Sequence, residues 1–262
     1  MSTLSGKVAI VGGSSQGIGY AIARRLAGDG ADVALVARRA EPLAAAAARI
    51  RDETGRRVIT VAADIRKAAD CERIIAEPLT HFGRLDILVN NDGAPPLGEL
   101  MSFDDAAWDK AWQQNFMSVV RLTRAAVPAM RAVGGGRIVN ITALSVLQPM
   151  PKFGLSVATW AGLVGYAKTL SRELGPFGIT VNTICPGRFD TELSQRSYRR
   201  QAEIENRPLA EVIAESSARI PLQRIGRPEE LGAVVAFLVS AHASYLTGAT
   251  IQVDGGALES LL

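Results

Sequence analysis

Seven short runs of consecutive apolar, mostly β-branched residues recur along the chain, at 8–11, 33–36, 58–61, 85–89, 137–141, 179–182 and 250–253. Alternate side chains of a strand point to opposite faces of a sheet. A strand apolar at successive positions is therefore buried on both faces, as in a parallel sheet. Helical stretches lie between the runs, near 17–29, 41–54, 68–81, 105–132, 153–174 and 228–239. Strand–helix alternation repeated this often predicts an α/β fold, a doubly wound parallel sheet of about seven strands with helices on both faces. No Gly/Ser linker and no long repeat divides the sequence. Residues 1–262 read as one domain with an irregular, charge-rich, lid-like insertion at about 188–220.

Composition removes several classes of function. Of 262 residues, 48% are apolar and 21% charged, which excludes wholesale disorder. No apolar run reaches the roughly 18 residues that cross a bilayer, and the start of the chain lacks the pattern of a secretory leader. Two cysteines, Cys71 and Cys185, and two histidines, His81 and His242, predict neither a disulfide scaffold nor a metal site, and suggest a reducing cytoplasm. A net charge of +3, spread along the chain, points away from nucleic acid and towards a small anionic ligand.

The first strand leads into Gly12-Gly13-Ser14-Ser15-Gln16-Gly17-Ile18-Gly19 and then a helix. Glycines let the backbone turn tightly and approach a pyrophosphate, which the free N–H groups of the helix start attract. At the first strand–helix junction of a βαβ unit, this loop predicts a Rossmann-type dinucleotide site. An acid near the end of the second strand would accept from a ribose 2′-OH. Here Ala37 holds that place and Arg38-Arg39 follow. A guanidinium suits a 2′-phosphate, so NADP(H) is expected over NAD(H). A solvated charged turn is the plainer alternative for the two arginines.

The spacing Gly13-x3-Gly17-x-Gly19 resembles the short-chain dehydrogenase/reductase family, whose loop reads TGxxxGxG. The resemblance continues in order through Asn90-Asn91-Asp92-Gly93 (NNAG in the family), Asn115, the segment from Cys185-Pro186-Gly187 to Thr191, and Val253-Asp254-Gly255-Gly256. It implies that Asp64 and Ile65 border the adenine and that Asn90 and Gly93 lie along the ribose. Phe189 and Thr191, just past Pro186 and Gly187, would meet the nicotinamide carboxamide. It also implies a homo-oligomer, a tetramer or a dimer. Each residue has a structural alternative: Asp64 a helix cap, Asn90 a turn residue, Pro186-Gly187 a plain turn.

The family's chemistry uses Ser, Tyr and Lys, with the tyrosine as acid and a lysine four residues on. The tyrosines here are Tyr20, Tyr166, Tyr198 and Tyr245, and none is followed by lysine at that spacing. Alignment with the family puts Ala143 at the serine position, Ser156 at the tyrosine position and Trp160 at the lysine position, leaving Asn115 as the one family catalytic residue. A serine is a far weaker acid than a phenol of reference pKa about 10. Candidate replacements are Ser145, Ser156 and Lys152, the last sharing a face with Ser156 if the helix already runs there. The chain is similar to a ketoacyl-reductase-like subgroup with a proline-rich loop (here Ala94-Pro95-Pro96) and Leu155-Ser156 in place of the tyrosine.

The expectation is an NADP(H)-binding oxidoreductase moving hydride to or from a carbonyl or activated C=C or C=N of a small-molecule substrate, without the tyrosine–lysine acid. The alternatives are a non-redox enzyme (isomerase, dehydratase or cyclase) on the same scaffold, or a non-catalytic NADP(H)-binding protein.

Overall fold

The structure, a computed structural model, describes residues 3–260. Met1 and Ser2, part of the start of the chain read for a leader, and Leu261 and Leu262 lie outside the described residues. The strands are β1 (Val8–Gly12), β2 (Asp32–Ala37), β3 (Val58–Ala62), β4 (Ile87–Asn90), β5 (Gly136–Ile141), β6 (Ile179–Pro186) and β7 (Thr250–Val253). They form one sheet in the order β3-β2-β1-β4-β5-β6-β7. Every neighbouring pair is parallel. Between them run α1 (Gly17–Gly28), α2 (Ala40–Thr54), α3 (Ala68–Phe82), α4 (Asp105–Trp112), α5 (Ser118–Ala132), α6 (Gly154–Leu174), α7 (Glu192–Glu205), α8 (Leu209–Ala218) and α9 (Pro228–Val239).

The strand alternation divides the core in two. Ala9, Val11, Val33, Leu35, Ile87 and Val89 face one side, where Ile22 and Leu26 of α1 and Leu231 and Val235 of α9 cover them. Ile10, Ala34, Val36 and Leu88 face the other, against Ile74 of α3 and Leu122 and Met130 of α5. Each such aliphatic side chain contributes roughly 1.5–3 kcal/mol by leaving water. Consecutive apolar positions thus mean what the sequence suggested, a sheet clad on both faces.

Three sequence expectations need correction. The stretch 105–132 is not one regular helix. α4 passes into a π-helical turn, Gln113–Met117, before α5 begins. One extra residue in that turn rotates Asn115 inward, where it is 3% exposed. The insertion is not irregular: it folds as α7 and α8, which bury Tyr198, Ala202 and Val212 between them. Arg207 between the two helices pairs with Glu205 at 3.1 Å and Glu215 at 2.9 Å. Lys152 does not share a helical face with Ser156, because α6 starts at Gly154 and Lys152 is left-handed at φ +68°.

Candidate functional site

Strand order reverses between β1 and β4: β2 and β3 lie on one side, and β5, β6 and β7 on the other. A crevice opens beyond the carboxyl ends of strands at such a switch point. The glycine loop lines it. Gly13 has φ +59°, and a Cβ there would come 2.6 Å from Asn91 Nδ2. A Cβ on Gly19 would strike the Gly13 carbonyl. Asn91 Nδ2 donates to Gly12 O at 3.0 Å and ties the loop to the end of β4. Gln16 caps α1 without a side-chain hydrogen bond, leaving the first-turn N–H groups available to an anion.

The resulting groove has a volume of about 540 Å³. Of the residues singled out in the sequence, it gathers Gly13, Ser15, Gln16, Gly17, Ile18 and Gly19 from the loop and Arg38 and Arg39 from beyond β2. Asp64 and Ile65 come from beyond β3, Gly93 from beyond β4, and Thr191 from the start of α7. Thr191 also caps α7, accepting from Ser194 N at 3.2 Å. Cap and lining residue are one and the same here.

Five of the expected residues do not face the groove. Ser14 is fully buried, and its hydroxyl donates to Val11 O at 2.8 Å while accepting from Val36 N at 2.9 Å. Asn90 is buried at the end of β4 and donates to Asn140 Oδ1 at 2.8 Å. Pro186 closes β6, and Gly187 N donates to Val253 O at 2.9 Å, continuing the ladder. Phe189 turns into the core cluster beneath α9. Val36, Ala63, Arg66, Asn91, Gln114, Glu192 and Leu193 also line the groove and were not singled out in the sequence. Asp92 also lines it, and was noted only as a departure from a motif.

The charges in the groove are unevenly partnered. Arg38 and Arg39 are exposed and make no ion pair among the described residues. Arg66 grips Asp64, Nη2 to Oδ2 at 2.6 Å, and this hydrogen bonding holds the Asp64 pKa down to about 2 against the opposing effect of burial. Asp92 moves the other way. Loss of hydration in the surrounding protein pushes its pKa up to about 6; the Gly93 N–H and Arg38 resist, Asp64 adds to the rise and Arg66 opposes it. Solvent reaches Asp92 at the groove mouth and screens part of this push.

Below the groove lies a cavity of about 30 Å³, room for about one water. Asn90, Asn115, Trp160 and Leu163 line it, and it shares Asn91, Asp92 and Gln114 with the groove. Trp160 is 6% exposed and packs with Val119 and Leu163, with Phe116, Tyr166 and Ala143 against them. Asn115 Nδ2 donates to Thr159 Oγ1 at 2.9 Å, joining the π-helical turn to α6. Ser145 and Ser156 are 1% and 0% exposed, and neither hydroxyl finds a hydrogen-bond partner among the described residues. Neither serine lines the groove or the small cavity, and neither does any of the four tyrosines.

Comparison with known proteins fits this architecture. Residues 13–257 match the family described as enoyl-(acyl carrier protein) reductase. Dehydrogenase/reductase SDR family member 4 of Bos taurus is 37% identical over 259 residues, covering 98% of this chain and 89% of the bovine protein. The chain belongs to the short-chain dehydrogenase/reductase family. Among solved structures of this kind, L-sorbose reductase from Gluconobacter frateurii, complexed with NADPH and L-sorbose, superposes with a TM-score of 0.96 at 35% identity over the whole of both chains. A short-chain dehydrogenase from Burkholderia cenocepacia, in complex with NADP, gives a TM-score of 0.85 at 35% identity, covering 97% of this chain and 99% of its own. Among the described residues, no helix is long and apolar enough to cross a membrane and no cluster of side chains is arranged to hold a metal.

Proposed function

We propose that this short-chain dehydrogenase/reductase is an NADP(H)-dependent oxidoreductase that reduces an activated carbonyl, C=C or C=N bond, or runs the reverse reaction, without a tyrosine–lysine acid. The observation that carries the coenzyme choice is Arg38. Without an ion pair among the described residues, it stands at the groove just past the end of β2, where an acidic side chain would repel a 2′-phosphate. The relatives solved with NADPH or NADP support the same choice.

Each part of the site has a task in this reading. The glycine loop and the start of α1 hold the pyrophosphate, and Arg38 with Arg39 holds the 2′-phosphate. The bound coenzyme supplies hydride from its reduced nicotinamide ring. Asn115, through Thr159, fixes α5 and the π-helical turn against α6 and so acts as a positioning residue. Ser145 and Ser156 line neither the groove nor the small cavity, so in this reading their unpartnered hydroxyls orient a substrate oxygen only once substrate binding opens the wall they sit behind. They are too weakly acidic to protonate it, so solvent or the substrate itself supplies the proton. Substrates whose product anion is already stabilised need that proton least. The family's enoyl reductase description is in keeping with such an electron-poor C=C bond. The proposal extends to a homo-oligomer, tetramer or dimer, in a reducing cytoplasm.

A second reading rests on the tightness around Trp160. The indole and its neighbours leave only about 30 Å³ beside Asn115, which favours a chain that binds NADP(H) without turnover. Deuteride transfer decides between the two. With NADPH deuterated at the nicotinamide C4, label is expected at carbon in the product of at least one enone or imine substrate. Arg38→Ala should weaken NADPH by about tenfold or more and leave NADH nearly unchanged. No label in any product, with NADPH still bound, selects the non-catalytic reading; equal or tighter NADH binding overturns the coenzyme choice.

A further inference from the structure

Asp92 is an ionisable side chain of the groove that the coenzyme reading leaves without a task. Asp92 lies between Asn91, which ties the glycine loop to β4, and Gly93, whose N–H holds its carboxyl. It lines both the groove and the small cavity below it. The charged groups that face it are Arg38 from beyond β2 and Asp64 and Arg66 from beyond β3; Arg39 and Glu192 line the same groove. These cations are not equally free to serve it. Arg66 is held by Asp64 through Nε at 2.9 Å and Nη2 at 2.6 Å. Arg38 makes no ion pair among the described residues, so its guanidinium can answer either Asp92 or an incoming phosphate.

A dinucleotide phosphorylated on the 2′ oxygen changes the surroundings of Asp92 in three ways. It engages Arg38, it brings further negative charge into the groove, and it covers the carboxyl from water. Each change penalises the carboxylate relative to the neutral acid. A dinucleotide without that phosphate covers Asp92 but leaves Arg38 in place. We propose that Asp92 is a specificity-determining residue of the groove: it takes up a proton when a 2′-phosphorylated dinucleotide binds, and in its ionised form it weakens that coenzyme more than one lacking the phosphate. This rests on the reading of the groove as an NADP(H) site. The raised proton affinity of Asp92 moves the effect above the range in which an ordinary carboxyl titrates.

The 2′-phosphate itself loses a proton in the same pH range and pulls in the opposite direction, because its added charge favours Arg38. The decisive comparison is therefore between the protein and its neutral isostere. Calorimetric titrations with NADPH and with NADH, from about pH 6 to about pH 8 in two buffers of different ionisation enthalpy, test wild type, Asp92→Asn and Asp92→Ala. At about pH 8 both variants should bind NADPH about three- to tenfold more tightly than wild type, and NADH less than about twofold more tightly. The difference should shrink towards pH 6, and wild type should take up a fraction of a proton that neither variant does. Parallel NADPH profiles with equal proton uptake in wild type and Asp92→Asn overturn the role of Asp92 and leave the coenzyme reading standing. Tightening in Asp92→Ala alone also overturns it, since bulk and not charge would then be responsible. No nucleotide binding by any of the three proteins overturns both.

Discussion

Ser145 and Ser156 each bury a hydroxyl that finds no partner in the folded chain. Such a group costs about 1–3 kcal/mol, so a protein with no use for it gains by losing it. Ser156→Ala and Ser145→Ala should therefore stabilise the chain by about 1 kcal/mol in urea denaturation while lowering kcat/KM by about tenfold or more. Unchanged activity would mark the serines as filler, whichever way stability moves. The sequence disclosed that serine stands at 156 and tryptophan at 160, from which the absence of the usual acid pair is proposed. It did not disclose how tightly the positions close. Burial of Trp160 against Val119 and Leu163 depends on how α5 meets α6, and spacing along one helix carries no such information. Ser14 and Asn90 were misplaced for a related reason. Both sit in the glycine and asparagine motifs, but their polar groups are consumed by strand-end hydrogen bonds to Val36 and Asn140.

At the scale of elements, β1 and β4 form the hinge of the sheet order and are pinned at the end away from the groove. Asp86, just before β4, accepts from Val8 N of β1 at 3.0 Å and pairs with Lys7 at 3.0 Å and Arg84 at 2.7 Å. Asp86→Ala strands a buried N–H and leaves two cations without their partner. The expected cost is about 2–4 kcal/mol by urea denaturation, with coenzyme affinity retained once folded. A change within about 0.5 kcal/mol would show that water substitutes for the carboxylate. Strands of this kind were the most legible part of the sequence, because burial on both faces leaves an unbroken apolar run. Helix irregularity was not: the π-helical turn 113–117 keeps nearly the same apolar spacing as the regular helix around it. The insertion was read as irregular because α7 buries only Tyr198 and Ala202 among charged residues, too few for a visible period.

For the whole molecule, the perturbed carboxyls set opposing responses to pH. Burial raises the proton affinity of Asp32 and Asp86, but their Arg and Lys partners outweigh it, and Asp64 is held down to about 2. A carboxyl depressed in the folded state contributes stability above its unfolded pKa, and that stability is lost as pH falls towards the folded value. Thermal unfolding should therefore drop steeply between about pH 4 and about pH 2. Asp92 contributes with the opposite sign: it disfavours the fold as pH rises from about 4 to about 6, and Asp92→Asn should remove that decline from the melting profile. A profile identical in the variant would show that solvent fully screens the carboxyl.

The insertion leaves and rejoins the sheet domain at nearly one point. Arg188 O accepts from Gly226 N at 2.9 Å, and Asp190 N donates to Gly226 O at 2.8 Å, so its two ends are laced side by side. No strand of the sheet begins or ends within it. A segment closed on itself in this way behaves as an exchangeable cassette. Evolution, or an engineer, can graft a different cover onto the same nucleotide-holding chassis, and the laced neck is the natural place to cut.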